Sequence, residues 1–432
     1  MAGSTGAAGL VPRRAAVALL DLVLGEGRTL AEVLADLAGP LSAIDPGERA
    51  RAQRLTLTTL RHVERADKFL GKHLRKAPPV TVKNAMRLAV VEVFVDGAAA
   101  HGAVNAAVDL VRQGRKIAPM SGLVNAVLRK VVAEMPEDWA KLPPQRMPMW
   151  LRKPLVNRWG RDVVSVIEAV QMVAPPLDLT LRDADEAVQW AEALEAEVLP
   201  CGSLRRRVVG QVSDLPGYAE GAWWVQDAAA ALPVRVLAPV AGARVLDLCA
   251  APGGKTLQLA AAGAAVTALD ISGVRMARVA ENLARCRLTA ELVVADALHW
   301  QADAPYDSVL LDAPCSATGT VRRHPDLPFV KDGSELAGLV ELQARLIDSA
   351  LAMLKPGGVL VYCTCSLLPD EGEAQVSAAL ERHQGLQVDV PEAAGIEAAW
   401  RTKDGGLRLR PDFWAERGGM DGFYIARLRK AG

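Results

Sequence analysis

Short apolar runs alternate with stretches of helical periodicity from Arg244 to the C-terminus, and this alternation constrains the fold most strongly. The runs cover residues 245–248, 265–269, 292–294, 308–311 and 358–362. Such runs separated by helices are typical of parallel strands that are buried on both faces. The pattern predicts a doubly wound α/β sheet, which binds its ligands at the carboxyl ends of the strands. We assign this Rossmann-like domain to residues 236–432.

The first third of the chain has a different period, because apolar residues recur at intervals of three and four over residues 13–132. This spacing is typical of amphipathic helices, and it predicts an all-α domain over residues 1–138. Between Arg51 and Arg87 there are ten basic and two acidic residues. This basic run is either a solvated helix face or a surface that binds nucleic-acid phosphate.

The region between these domains, residues 139–235, predicts a small α+β module. It opens with a proline-rich linker, followed by strand-like alternation at residues 177–181, a helical pattern at 184–196 and a second strand at 205–209. The arginine run 205–207 either contacts RNA phosphate or stays in solvent, and the sequence favours neither.

Composition limits the classes of function. The chain has 432 residues, six cysteines and a formal net charge of zero. Six irregularly spaced cysteines do not form a disulfide scaffold, and a lone Cys-x-Cys pair (Cys363 and Cys365) lacks the second pair of a zinc site. No apolar run reaches membrane length. We therefore expect a cytoplasmic protein with reduced thiols, no metal and no membrane partner, acting as a monomer.

A glycine-rich loop follows the first predicted strand of the α/β domain. It consists of Cys249, Ala250, Ala251, Pro252, Gly253, Gly254 and Lys255. Such a turn at a helix N-terminus offers free backbone amides to a ligand. A nucleotide triphosphate loop needs glycine where Cys249 stands, and the Gly-x-Gly-x-x-Gly pattern of dinucleotide sites is absent. S-adenosylmethionine fits the loop best.

Two acidic residues agree with that cofactor. Asp270 ends the second predicted strand, where a carboxylate can bind both ribose hydroxyls, and Asp296 follows the third, where adenine would lie. Each is weak evidence alone, because aspartate is common after strands.

Two cysteines lie in loops that should follow parallel strands, Cys315 after residues 308–311 and Cys365 after residues 358–362. Carbon 5 of cytosine is a poor nucleophile, but a thiolate added to carbon 6 gives an enamine whose carbon 5 can attack an electrophilic methyl group. One cysteine can open such a cycle while a second group helps to close it.

Three motifs carry a resemblance to a known family. Residues 250–256, 312–316 and 364–366 together resemble the RNA cytosine-5 methyltransferases, and residues 101–108 and 122–129 resemble the NusB-like RNA-binding fold. The resemblance implies methylation of a cytosine in small-subunit ribosomal RNA. Two alternatives stay open, namely a transfer-RNA enzyme and a non-catalytic NusB-like RNA-binding factor.

The same resemblance implies roles for individual residues. Cys365 would attack the base, Cys315 would aid product release, Asp312 would face the base, and Lys255 would polarise or orient the ring. It also implies S-adenosylmethionine bound by residues 249–255, by Asp270 and Asp296, and near Asp312.

Overall fold

The computed structural model describes residues 9–134, 136–208 and 210–432. They form two compact units. The first contains the described residues up to Ala174 together with Val321–Asp332, and the second contains Pro175–Thr320 and Gly333–Gly432. The domain boundaries at residues 138 and 235 stay predictions, while residues 139–174 group with the first unit.

The first unit is built from helices, as the period of three and four predicts. They are α1 (Leu10–Glu26), α2 (Leu30–Ala35), α3 (Pro46–Arg61), α4 (Val63–Gly71), α5 (Val80–Phe94), α6 (Ala100–Gln113), α7 (Ser121–Val131), α8 (Pro136–Ala140), α9 (Met149–Trp159), α10 (Arg161–Gln171) and, from the later segment, α15 (Leu327–Val330). The apolar stripes pack on a shared core that contains Phe69, Met86 and Leu128. Among the described residues, no helix is long and apolar enough to cross a membrane.

The second unit begins with a small antiparallel sheet of order β2-β3-β1-β4. Its strands are β1 (Leu177–Leu181), β2 (Glu197–Val198), β3 (Leu204–Arg206) and β4 (Trp223–Val225), and α11 (Ala187–Ala193) lies between β1 and β2 in the chain. Asp178 stands opposite Arg205 across the β1 and β3 pair. The Arg205 side chain is fully buried and binds both Asp178 carboxylate oxygens at 2.7 Å. Arg205 therefore does not contact RNA phosphate; Val209, at the end of the predicted strand, lies outside the described residues.

The larger sheet confirms the predicted doubly wound fold. Its strands are β5 (Arg244–Leu248), β6 (Ala265–Asp270), β7 (Glu291–Val294), β8 (Tyr306–Asp312), β9 (Leu354–Thr364), β10 (Gln387–Asp389), β11 (Leu407–Leu409) and β12 (Phe423–Arg429). The order is β10-β12-β9-β8-β5-β6-β7, with β11 on β12. Strands β5 to β9 pair in parallel, and β10 and β12 are antiparallel.

Helices cover both faces of this sheet because alternate strand residues point to opposite sides. The helices are α12 (Ala228–Leu237), α13 (Gly254–Ala261), α14 (Gly273–Cys286), α16 (Leu336–Ala352) and α17 (Glu373–Arg382). Val245 and Leu310 pack in the cluster that includes α12, whereas Leu246 and Leu311 pack in the cluster that includes α16. Burial of one such side chain stabilises the fold by about 1.5–3 kcal/mol. The carboxyl ends of β5, β6, β8 and β9 are thereby fixed along one edge.

Candidate active site

The glycine-rich loop leaves β5 and enters α13 through two left-handed residues. Cys249 has φ of 60° and Gly253 has φ of 102°. A Cβ at position 253 would lie 3.0 Å from Cγ1 of Val279, and the left-handed φ is strained for any other residue, so both features favour glycine here. Ala250 N donates to Leu269 O at 3.0 Å, which ties the loop to the end of β6.

Asp270 holds this loop from the end of β6. Its Oδ2 accepts a hydrogen bond from Ala251 N at 3.1 Å, and its Oδ1 accepts one from Ser272 N at 2.9 Å. Each carboxylate oxygen has two lone pairs, so each keeps acceptor capacity for a hydroxyl. The side chain is 3% exposed. This position suits the ribose-binding role expected for Asp270.

A buried carboxylate with an unused acceptor lies just before the loop. Asp247 accepts a hydrogen bond from Thr256 Oγ1 at 2.6 Å, while its Oδ1 has no partner among the described residues. Burial raises the pKa of Asp247 to about 7, although the Thr256 hydrogen bond opposes the shift. The close backbone turn, the orphaned acceptor and the Asp270 carboxylate fit a ligand rich in hydroxyl and amino donors, such as S-adenosylmethionine.

Asp296 lies beyond the end of β7, in the place predicted for an adenine contact. Its Oδ1 accepts from Leu298 N at 2.9 Å, and its Oδ2 lies 2.9 Å from His299 Nδ1. The backbone hydrogen bond from Leu298 is the main reason that the pKa of Asp296 is lowered. Within the described ranges, no hydrogen bond joins Asp296 to another predicted site residue.

The structure brings Lys255 and Asp312 together. Lys255 Nζ, in the first turn of α13, lies 2.7 Å from Asp312 Oδ2 at the end of β8. Burial lowers the pKa of Lys255, but the Asp312 carboxylate outweighs it and the net effect is an increase. The ammonium therefore stays charged. Cys363 Sγ donates to Asp312 Oδ1 at 3.5 Å, and the Lys255 Nζ lies 5.4 Å from the Phe423 ring centroid.

The two motif thiols are also adjacent. Their sulfur atoms, Cys315 Sγ and Cys365 Sγ, are 3.3 Å apart. They meet because β8 and β9 are parallel neighbours, with Asp312 opposite Cys363, so both loops leave the sheet at the same edge. The hydrogen bond with Cys365, followed by burial, raises the pKa of Cys315 well above its usual value. Cys315 therefore keeps its proton and can donate it toward the Cys365 sulfur.

Glu371 is a site residue that the sequence analysis missed. Its carboxylate is fully buried and joins the two cysteine loops. Oε1 accepts from Ser316 N at 2.8 Å, and Oε2 accepts from the hydroxyls of Ser316 and Ser366, the latter at 2.5 Å. The signal that could have found it is a serine directly after each motif cysteine, because two buried hydroxyls at equivalent places need a shared acceptor.

A backbone contact closes the site from the C-terminal side. Gly422 N, just before β12, donates to Gly319 O at 2.8 Å, and Gly319 N donates to Cys365 O at 2.9 Å. A Cβ at position 319 would lie 2.0 Å from Gly422 O, so this approach requires glycine. No group of three or more metal-ligating side chains occurs in the part of the chain that the structure describes.

Comparison with known proteins adds independent findings. Residues 234–429 match the 16S rRNA methyltransferase RsmB/F family, and residues 11–133 match the NusB family. The chain is 36% identical to ribosomal RNA small subunit methyltransferase B of Pseudomonas putida, over 97% of this chain and 98% of that protein. It is 35% identical to the protein of the same name from Xanthomonas campestris, over 100% of both chains.

Solved structures agree on the fold. A methyltransferase homologue from Pyrococcus horikoshii has a TM-score of 0.56 at 26% identity, covering 64% of this chain and 93% of that one. NSun6 from Pyrococcus horikoshii, solved with SFG, has a TM-score of 0.58 at 19% identity, covering 66% of this chain and 98% of that one.

Proposed function

We propose that this chain, which belongs to the 16S rRNA methyltransferase RsmB/F family, methylates carbon 5 of one cytosine in small-subunit ribosomal RNA. Membership of this family makes the chain an S-adenosylmethionine-dependent ribosomal RNA methyltransferase. Methylation at carbon 5 is the part that we propose in addition. The observation that carries this choice is the pair of thiols 3.3 Å apart. A pyrimidine needs one sulfur to activate its ring and a second group to release it.

Cys365 is the nucleophile in this proposal, and Cys315 assists release. The Cys365 sulfur bonds to carbon 6 of cytosine, which makes carbon 5 electron-rich enough to attack a methyl group. S-adenosylmethionine, when bound, supplies that methyl group as an electrophile. Loss of the carbon 5 proton to solvent then restores the double bond and expels the Cys365 sulfur, to which the neighbouring Cys315 thiol donates its proton. The raised pKa of Cys315 supports this order, because a thiol that keeps its proton is not available as the attacking thiolate.

Lys255 and Asp312 position the base. Asp312 lies 2.7 Å from the Lys255 ammonium, so its carboxylate is held in one orientation and can accept a hydrogen bond from the exocyclic amine of cytosine. Lys255 stays cationic and stabilises negative charge that develops on the ring as sulfur adds.

The cofactor would be held by the residues around the first strand. Residues 249–255 would supply a close turn, Asp270 would bind the ribose hydroxyls and Asp296 would lie on the adenine side. The protein would act in the cytoplasm, an expectation supported by its six free thiols, and as a monomer.

Methyl transfer onto unmodified RNA tests the proposed function. The full chain is incubated with radiolabelled S-adenosylmethionine and with 16S ribosomal RNA or transfer RNA, each transcribed without modifications. Label should enter 16S RNA, and bisulfite sequencing should show one protected cytosine. Label in transfer RNA alone would identify a transfer-RNA enzyme, and no label in either would support a non-catalytic factor.

A further inference from the structure

The helical unit contains a cavity of about 680 Å³ at the junction of α3 and α4. Its walls include Arg61, His62 and Arg65 from this junction, and Phe94 and Trp139 from α5 and α8. None of these residues belongs to the methyl-transfer site described above. The volume is within the usual range for a small-ligand pocket.

Two nearly buried cations in this cavity lack a counter-ion. Arg61 and Arg65 are 5% and 7% exposed. Each donates one hydrogen bond to a backbone carbonyl, Arg61 Nη2 to Arg322 O at 2.8 Å and Arg65 Nη2 to Trp139 O. The Nε of both residues has no partner, and no carboxylate of the described residues forms an ion pair with either.

This arrangement is unfavourable without a ligand, because a buried charge is tolerated when it is paired and fully hydrogen-bonded. Burial, together with the charges of Arg322 and Arg323, lowers the pKa of Arg61 to about 10. The carboxylate among the lining residues, Asp96, is exposed and pairs with neither arginine. The cavity wall therefore holds two cations whose counter-ion the described chain does not supply.

The rest of the wall is aromatic and apolar. The Trp139 ring stacks on Phe94 at a centroid distance of 5.4 Å, and the Arg65 guanidinium lies 4.6 Å from the Trp139 ring centroid. Trp139 is thus covered by both neighbours, and the apolar surface open to a ligand includes the half-buried Phe94 and the exposed Val95 and Val173. Burial lowers the pKa of His62 to about 4, so its imidazole is neutral at pH 7 and its partnerless Nδ1 adds a polar group without charge.

We propose that this cavity binds one nucleotide of an RNA strand, with phosphate oxygens accepting from Arg61 and Arg65 and the base packing on Phe94 and Val95. An acidic peptide would satisfy the arginines but would leave the aromatic wall without a flat partner. The proposal rests on the proposed function only in taking RNA as the polymer. It assigns a specific part of the basic run, at the helix junction, to a defined pocket.

Two variants that change the charge of the cavity in opposite directions test the proposal on the full chain. Arg65→Gln removes a cation from the cavity, and Asp96→Asn removes the anion at its edge. Arg115→Gln is the control, because Arg115 is an exposed arginine of the same unit outside both the cavity and the basic run. Binding of a fluorescent single-stranded fragment of small-subunit ribosomal RNA is measured by anisotropy at several salt concentrations.

Arg65→Gln should weaken RNA binding about tenfold and reduce the salt slope by about 0.7, since one phosphate contact to a single strand is lost. Asp96→Asn should strengthen binding, and Arg115→Gln should leave it within about twofold. The melting temperature of ligand-free Arg65→Gln should not fall below that of the wild type, because an uncompensated buried charge is removed. Phe94→Leu should weaken binding without changing the salt slope.

Ultraviolet cross-linking locates the contact directly, and cross-linked nucleotide should map to the peptide that contains Phe94. Equal affinities and slopes for wild type, Arg65→Gln and Asp96→Asn would overturn the proposal, as would a polyglutamate peptide that binds the cavity while RNA does not. Equal KM values for RNA methylation by the wild type and by Arg65→Gln would overturn the cavity proposal alone. A wild type that binds RNA through the cavity without methylating it would overturn the proposed function alone.

Discussion

The hydrogen bond with Cys365 and burial raise the pKa of Cys315 well above its usual value, and this shift supports the proposed roles of the two thiols. Because Cys315 holds its proton through the hydrogen bond with Cys365, we expect Cys365 to attack and Cys315 to act later. Cys365→Ala should abolish methyl transfer and form no adduct. Cys315→Ala should still attack and methylate but stall before release, and leave a protein and RNA conjugate that survives denaturing gel electrophoresis. If the conjugate accumulates instead with Cys365→Ala, the roles are reversed.

Glu371 links the loops of both thiols through the serines that follow the two cysteines. It accepts hydrogen bonds from the loops of Cys315 and Cys365 at once, and each charge-assisted bond contributes about 1.5–3 kcal/mol. Glu371→Gln should lower kcat for methyl transfer more than it changes KM, and should lower the free energy of unfolding by about 1–3 kcal/mol. S-adenosylmethionine affinity by calorimetry should not change. Asp370→Asn, which changes the exposed neighbouring carboxylate, is the matched control. An equal loss of kcat in Asp370→Asn would show that Glu371 has no specific positioning role.

Asp247 makes stability depend on pH. Its pKa is raised from 3.8 to about 7 by burial, so the folded state binds the proton more tightly than the unfolded state. The stabilising contribution is complete below about pH 4 and is lost as the pH rises toward 7. Asp247→Asn can still accept from Thr256 and does not titrate. Urea unfolding at pH 5 and at pH 7.5 measures the free energy of unfolding of both proteins, and the variant should gain stability relative to the wild type at the higher pH. An equal difference between the two proteins at both pH values would contradict the raised pKa of Asp247.

At the scale of elements, the sequence predicted the large sheet well, whereas neither alternative for the arginine run describes the buried Arg205. Apolar runs such as residues 245–248 and 308–311 identify buried strands because burial on both faces leaves a continuous apolar signal. The fate of Arg205 depends instead on strand register, which places it opposite Asp178. Periodicity within one strand carries no information about the residue opposite, so solvent and RNA both stayed open at that position.

The segment Val321–Asp332 was missed for a related reason. It lies in sequence between β8 and α16, yet it packs within the helical unit. Leu30 N donates to Asp326 Oδ2 at 2.9 Å, and Trp150 Nε1 donates to Lys331 O at 2.9 Å. These partners are far apart in the chain, and hydrogen bonds between distant residues leave no local pattern in the sequence.

Asp326 therefore serves as a distant cap of α2. Its carboxylate satisfies the Leu30 amide at the first position of that helix, where no intrahelical partner exists. Asp326→Ala should cost about 1–2 kcal/mol of unfolding free energy, and hydrogen exchange should become faster in α2. Thr29→Ala removes the local cap of the same helix, and it should speed exchange in α2 without loosening Val321–Asp332. Unchanged exchange in Asp326→Ala would show that the segment does not support α2.

At the scale of the whole molecule, the helical unit is discontinuous in sequence, and this has a consequence for fragments. A fragment of residues 9–174 lacks Val321–Asp332, and with it the carbonyl that accepts from the buried Arg61 and the carboxylate that caps α2. We expect this fragment to melt at a lower temperature than its complex with a synthetic peptide of residues 319–334.

Added peptide should raise the melting temperature in proportion to the logarithm of its concentration, because it binds only the folded state. A peptide with Asp326→Ala should raise it less, since the α2 amide stays unsatisfied. Differential scanning calorimetry over a peptide series measures both effects. If added peptide does not change the melting temperature of the fragment, the helices up to Ala174 fold without Val321–Asp332, and that segment does not stabilise them.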